Sequence, residues 1–359
     1  MTQHIRTICV RILFLALLFS SVEIAAHAAV DEGIQPGAIA PVFTLQDQDG
    51  KAQTLQSLAG PHGLLVLFSR SADWCALCKS QLIELEAARH IFEAQGIHVA
   101  SITYDSPAVL KEFSLRRDIH FTLLSDPDSR TIDAFGVRNT EETGYKAGVA
   151  IPNYFLVSAD GKILRRFIEG TSQERKTASY LYEAIFGAGT AQPSAASIVP
   201  ETPHLKVALK QSDVAVAPGA RFQLTVQLEP GKNEHLYAPG AEAFGYRPIR
   251  LTLDSSDLYQ ADSAVYGKST IIEFASLKEK VPAFESSTQI TEDVWAVFGP
   301  KNSERFTQDP NLIVHGVLEY QVCNHTTCYP PETKPVSWTL RVLPGNFDRV
   351  RVAEALQKK

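Results

Sequence analysis

Residues 69–82 read SRSADWCALCKSQL, with Cys75 and Cys78 two residues apart and Trp74 directly before them. Such a pair can be a redox dithiol, half of a metal site, a peroxide-cleaving thiol with its resolving partner, or an inert couple. The flanks narrow the choice. Gly63 to Ser69 (GLLVLFS) is a short apolar run that reads as a buried strand. After the cysteines, Leu82, Leu85, Ala88 and Phe92 fall at helical spacing, while Lys79, Glu84, Glu86 and Arg89 read as surface. Strand, cysteine pair and amphipathic helix together place Cys75 at a helix N-terminus. Unpaired N–H groups and the helix dipole favour an anion there, which lowers a thiol pKa. Cys78 lies one turn inside, within reach of a mixed disulfide on Cys75. Cys75 is the expected nucleophile and Cys78 the resolving thiol. Zinc would need two further ligands, and no second C-x-x-C or H-x-x-x-H pattern completes a set.

Working outward, residues 34–187 alternate strand-like and helix-like segments. Ile97 to Tyr104 reads as a strand, Ser106 to Arg117 as a helix, and Asn153 to Val157 with Lys162 to Phe167 as a hairpin. A last helix is expected from Gln173 to Phe186. This alternation implies an α/β layer fold with a partly parallel sheet. Residues 188–203 are rich in Ala, Ser and Pro and read as a linker. Residues 204–344 then carry short alternating runs such as Arg221 to Leu228, the pattern of an all-β sandwich. Phe347 to Lys359 is expected to form a tail helix.

The chain has 359 residues, 45% of them hydrophobic, enough for two domains with separate cores. Its formal charge of −6 argues against a nucleic-acid surface. Residues 1–28 read as an export signal: Arg6 and Arg11, an apolar run from Ile12 to Val22, then Ala26-His27-Ala28 for cleavage. The run is shorter than the roughly 20 residues a membrane span needs. A periplasmic or otherwise exported location follows. Four cysteines lie beyond the signal, in two close pairs, and an oxidising compartment favours one disulfide per pair.

Four stretches carry a resemblance: PGAIAPVFTLQDQDGK (Pro36 to Lys51), SADWCALCKSQLIEL, LLSDPDS (Leu123 to Ser129) and IPNYFLVSADGKI (Ile151 to Ile163). They resemble the AhpC/TSA branch of the thioredoxin superfamily, which implies a thioredoxin-like fold. That superfamily contains peroxidases and disulfide reductases. Peroxidases of the family carry P-x-x-x-T-x-x-C. With the reactive cysteine set at Cys78, Ser71 stands at the proline position, Cys75 at the threonine position and Pro152 at the supporting arginine. W-C-x-x-C followed by a distant proline is instead similar to thioredoxin-like reductases. That likeness implies a cis Ile151–Pro152 bond facing the dithiol, with Trp74, Ile151 and Pro152 contacting a substrate chain. No cofactor and no metal are called for.

The second pair sits in EYQVCNHTTCYPPETKPV, Glu319 to Val336, where two strand-like runs end at Cys323 and Cys328. Read from the residues, this is a stabilising disulfide at a strand end. The Y-Q-x-C start and C-Y-P-P-E-T finish resemble the N-terminal, immunoglobulin-like domain of DsbD, which carries a reactive disulfide. That resemblance implies a second redox pair, with Tyr320, His325 and Tyr329 around it and Tyr266 as the candidate aromatic cover. Two thiol modules on one linker meet at an effective concentration of about millimolar, favouring electron transfer between them. Reducing equivalents are then expected from a separate membrane thiol donor, and the substrate is a protein disulfide or a peroxide. If the second pair is inert, residues 204–344 are a structural or docking module.

Overall fold

The computed structural model describes residues 33–169, 173–187, 204–274 and 278–349. The expected export signal and linker lie outside these residues. The first half is built on one seven-stranded sheet. Its strands are β1 (Leu45–Asp47), β2 (Ala52–Gln53), β3 (Gly63–Phe68), β4 (Ile97–Thr103), β5 (Thr122–Ser125), β6 (Asn153–Val157) and β7 (Ile163–Ile168), in the order β2-β1-β5-β4-β3-β6-β7. β3, β4 and β5 are parallel, and β6 runs antiparallel to β3. Helices α1 (Leu55–Leu58), α2 (Ala76–Glu93), α3 (Pro107–Arg117), α4 (Arg130–Ala134) and α5 (Ala178–Phe186) follow in sequence.

Every residue of β3 is buried, as its unbroken apolar run requires of a central strand. Leu65 and Leu67 face Leu82, Leu85 and Phe92 of α2 and Leu181 of α5. Leu64, Val66 and Phe68 face the opposite core of Phe135, Val137 and Phe155. The period-two alternation of a strand thus serves two cores at once. Helix α3 starts where expected, with the Ser106 hydroxyl capping Val109 N–H and Pro107 in the first turn.

The last helix of this half is shorter than expected. It begins at Ala178, where the Thr177 hydroxyl accepts from Tyr180 N–H at 3.1 Å. Arg175 and Lys176 form instead a short strand, β8, that adds in parallel to Ala220–Pro230. A neighbouring edge with free hydrogen-bonding groups outweighs the local helical pattern there.

Residues 204–349 are β-rich. One sheet orders Ala215–Val216, Glu332–Val342, Asn311–Tyr320 and Arg250–Leu253. A second orders Tyr259–Ala261, Thr288–Ala296 and Ala220–Pro230, with β8 and Leu205–Gln211 on one edge of Ala220–Pro230. The alternation read from Arg221 to Leu228 holds: Phe222, Leu224, Val226 and Leu228 enter a core shared with Leu312, Val314, Trp338 and Leu340 from the first sheet. A smaller sheet joins Thr270–Phe274, Glu279–Phe284, Glu234–Tyr237 and Val322–Asn324. Pro300–Gln308 is a helix that strand alternation did not announce.

β8 is the joint between the halves. Arg175 N–H donates to Gly219 carbonyl at 2.8 Å, and Thr177 N–H to Arg221 carbonyl at 3.0 Å. Glu174 takes two hydrogen bonds from the Arg221 guanidinium, at 2.7 and 3.1 Å, and Tyr180 donates to Asp293 at 2.9 Å.

Candidate functional site

Cys75 is the N-cap residue of α2, and its sulfur accepts from Cys78 N–H at 3.3 Å. The two are disulfide-bonded, with Cα atoms 5.2 Å apart. Cys75 is 6% exposed and Cys78 0%. The strand-to-helix loop is held by Asp105, just after β4. Its carboxylate accepts from Ser71 hydroxyl at 2.8 Å, Ala72 N–H at 2.6 Å and Thr103 hydroxyl at 3.0 Å. Burial pushes the Asp105 carboxyl up to about 6, against those hydrogen bonds. Trp74 is pinned as well: its indole N–H donates to Tyr104 hydroxyl at 2.8 Å, its ring meets Tyr145 edge-on, and the Arg70 guanidinium lies 4.9 Å above it.

Ile151 and Pro152 depart from expectation. The chain contains no cis peptide bond among the described residues, so the Ile151–Pro152 bond is trans. Ile151 N–H donates to Val137 carbonyl at 2.7 Å, and Pro152 carbonyl accepts from Glu169 N–H. The segment is fixed by the chain at residues 137–139, and the Ile151 N–H is already used rather than turned toward a substrate.

Two acids and a lysine near the dithiol, Glu84, Glu86 and Lys79, also sit differently from their reading as surface. Lys79 is fully buried; its ammonium donates to Asp73 carbonyl at 2.8 Å and to Asp348 carbonyl, and burial lowers its pKa. Asp73, next to Trp74, is buried and bound by Arg349. Glu84 is partly buried and accepts from Ala178 N–H at 2.8 Å; burial, then the nearby Asp213 charge, push its carboxyl up to about 8. Glu86 accepts from His120 and Phe121 N–H groups.

The β-rich half covers the site. Phe298 packs against Cys75, Leu77 and Cys78, and Phe347 stacks on Phe298. Of the expected tail helix, Phe347 to Arg349 is not helical, and residues 350–359 lie outside the described residues; the segment is tied to α2 by Asn346 amide, which donates to Ser80 hydroxyl at 2.8 Å, and to α3 by Asp348, which pairs with Arg116 and Arg117. Beneath Cys78, one Arg175 guanidinium nitrogen lies 3.6 Å from its sulfur. Arg175 is itself buried. Sequence reasoning missed Asp105, Arg175 and Phe298. An acid at the C-terminal end of a parallel strand is a legible signal for Asp105. Arg175 and Phe298 arrive only through the packing of the two halves.

Cys323 and Cys328 are antiparallel bridge partners across a tight turn, disulfide-bonded with Cα atoms 4.0 Å apart. The Asn324 side chain builds the turn by accepting from the N–H groups of Thr326 and Thr327. Cys323 is buried and Cys328 exposed. His235 stands opposite Cys323 on the neighbouring strand, and burial lowers its pKa. Of the expected surroundings, His325 is exposed in the turn and Tyr329 stacks on His204, while Tyr320 belongs to the main β core. Tyr266 is not the cover: its hydroxyl accepts from Leu251 N–H and its ring packs on that main core. The aromatic residues clustered with Cys323 are Tyr237, Tyr246 and Phe274.

Residues 36–166 match the AhpC/TSA family. The chain is 32% identical over 131 residues to peroxiredoxin Bcp of Escherichia coli (strain K12), covering 36% of this chain and 83% of that protein. It is 25% identical over 151 residues to the thiol-disulfide oxidoreductase ResA of Bacillus subtilis, covering 42% and 76%. Among solved structures, peroxidoxin BcpB from Mycobacterium tuberculosis matches 38% of this chain and 86% of its own at 20% identity and a TM-score of 0.35. Through residues 36–166 the chain belongs to the AhpC/TSA family of the thioredoxin superfamily, a family of thiol oxidoreductases and peroxidases.

Proposed function

We propose that the protein is an exported thiol–disulfide oxidoreductase that reduces protein disulfides through Cys75 and Cys78. The observation that carries this reading is the placement of Cys75. It caps α2, where N–H groups and the dipole stabilise a thiolate, and it is the more accessible sulfur of the pair. In the reduced protein, Cys75 thiolate attacks a substrate disulfide, forming a mixed disulfide and releasing one substrate thiolate. Cys78 thiolate then attacks the Cys75 sulfur, closing Cys75–Cys78 and releasing the second substrate thiolate. Two electrons pass to the substrate, and the released thiolates take protons from water.

Residues 204–344 act in this reading as an immunoglobulin-like carrier of a second redox pair. Cys328, the exposed sulfur, is the entry point for electrons from a membrane thiol donor, and the reduced Cys323/Cys328 pair then reduces Cys75–Cys78. The buried His235 beside Cys323 and the aromatic cluster around it suit a disulfide shielded from stray thiols.

A second reading, a thiol peroxidase in which Cys78 attacks peroxide and Cys75 resolves, is favoured by the Arg175 contact at Cys78 and by the similarity to peroxiredoxin Bcp. Trapping separates the two. With the reduced protein and a disulfide-bonded substrate such as insulin, Cys78→Ser is expected to accumulate a stable mixed disulfide through Cys75, and Cys75→Ser none. A trap formed only by Cys75→Ser would overturn the assignment of Cys75 as the attacking thiol.

A further inference from the structure

The resolving thiol has no obvious partner in the sequence. Pro152 stands where the family resemblance places a supporting cation, and its ring carries no charge. The structure supplies a cation from another element. Arg175 reaches the Cys78 sulfur at 3.6 Å from β8, outside the thioredoxin-like sheet. Its place is set by backbone: its N–H donates to Gly219 carbonyl, in register with Ala220 of the β-rich half. Its guanidinium also donates to Glu174 carbonyl. Glu169, which accepts from Gln81 of α2 at 3.0 Å and from Lys176 N–H, is the nearby acid. Both sulfur and guanidinium are shut away from water, so their interaction is weakly screened.

We infer that Arg175 is a catalytic residue of this dithiol, holding the Cys78 sulfur as a thiolate both when it attacks and when it leaves. The inference rests on Cys75–Cys78 being the working pair. In the forward step, Cys78 thiolate attacks Cys75 sulfur in the mixed disulfide and the substrate thiolate departs. In re-reduction, a donor thiolate attacks Cys75 sulfur, the Cys75–Cys78 bond breaks, and Cys78 departs as a thiolate beside the guanidinium. Burial opposes a charge on Cys78, and an opposite charge within about 4–6 Å offsets it. Arg175 remains a cation at neutral pH: its own pKa, lowered chiefly by burial, is about 10, with Glu169, Tyr154 and Glu174 raising it and Arg70 lowering it. Because β8 is an edge strand of the β-rich half, docking of that half delivers the charge to the dithiol.

The test needs no turnover, so its failure is distinct from failure of the reductase reading. Cys9, Cys75, Cys323 and Cys328 are replaced by Ser, leaving Cys78 as the sole cysteine. Its ionisation is followed by thiolate absorbance at 240 nm. Arg175→Gln is expected to raise the Cys78 pKa by about one unit or more, lowering the thiolate fraction at pH 7 about tenfold. In the otherwise unmodified protein the same change slows resolution of a preformed mixed disulfide at pH 7, and the deficit closes above pH 10. A folded Arg175→Gln protein with an unchanged Cys78 pKa overturns the inference. So does a deficit of equal size at every pH, the mark of a structural role. If Arg175→Gln does not fold, the sole-cysteine parent decides: Cys78 titrating below the ordinary thiol value of about 8.5 supports the inference, and a value at or above it overturns it.

Discussion

Replacing both Asp348 and Arg349 by Ala should speed the reaction of the reduced dithiol with external disulfides. These residues anchor the terminal segment beside Phe347, which stacks on the Phe298 ring covering the cysteines. Asp348 pairs with Arg116 at 3.2 Å and Arg117 at 2.6 Å, and Arg349 Nε pairs with Asp73 at 2.9 Å. The Arg116, Arg117, Asp348 and Arg349 side chains are 30–62% exposed, so solvent screening limits each pair to about 0.2–1 kcal/mol. Three pairs give about 0.6–3 kcal/mol, a rise of roughly 3- to 150-fold in the uncovered population. The Asn346–Ser80 bond and the backbone contacts of Lys79 and Arg116 survive the change, which favours the lower end. The assay is stopped-flow reaction of reduced protein with a chromogenic aromatic disulfide. In the parent, raising salt from 50 mM to 1 M should accelerate the reaction, as the screening length falls to about 3 Å. The double variant should respond little to salt. Equal rates for parent and variant, or a parent indifferent to salt, would refute the idea that this segment gates Cys75.

Glu84→Gln should flatten the pH dependence of stability. The folded-state pKa of about 8 lies above the unfolded value, so stabilisation is fully present below about pH 4.5 and is lost as pH rises through 8. Melting temperatures from pH 5 to 9 should fall less for the variant than for the parent; parallel curves would contradict the assignment. Gly219 has φ +81°, and an added Cβ would lie 2.5 Å from Gln173 carbonyl and 3.0 Å from Leu77. Gly219→Ala should therefore loosen the joint, with a cost of about 1 kcal/mol from backbone strain alone, read as a lower melting temperature and faster proteolysis between residues 187 and 204. Redox titration of Cys323/Cys328 in a Cys75→Ser/Cys78→Ser background should give a potential well above about −300 mV; a lower value would make the pair a structural disulfide.

The parts legible in the sequence are those set by local pattern. β3 was readable because a central parallel strand is apolar throughout, and α2 because one helical face is apolar and a capping cysteine precedes it. The disulfide turn at Cys323 was readable because two strand-like runs end at its cysteines. What escaped depends on contacts between distant segments. Arg175 and Lys176 have a helical context, yet the edge of Ala220–Pro230 captures them. Lys79 and Asp73 look like solvated surface until residues 346–349 cross them. Glu84 looks exposed until the start of α5 and Asp213 of the β-rich half meet it. The cis bond inferred for Pro152 is absent, and the neighbouring Ile151 N–H is held by Val137, a pairing no short motif announces.

The central claim is that the Cys75 thiolate attacks disulfides rather than that Cys78 attacks peroxide. The most direct measurement mixes fully reduced protein with hydrogen peroxide and, separately, with insulin, following thiol loss by stopped flow. The account predicts slow reaction with peroxide, near that of a free thiol, and prompt reduction of insulin disulfides. Peroxide consumption several orders of magnitude faster than a free thiol would contradict it and make Cys78 the attacking sulfur.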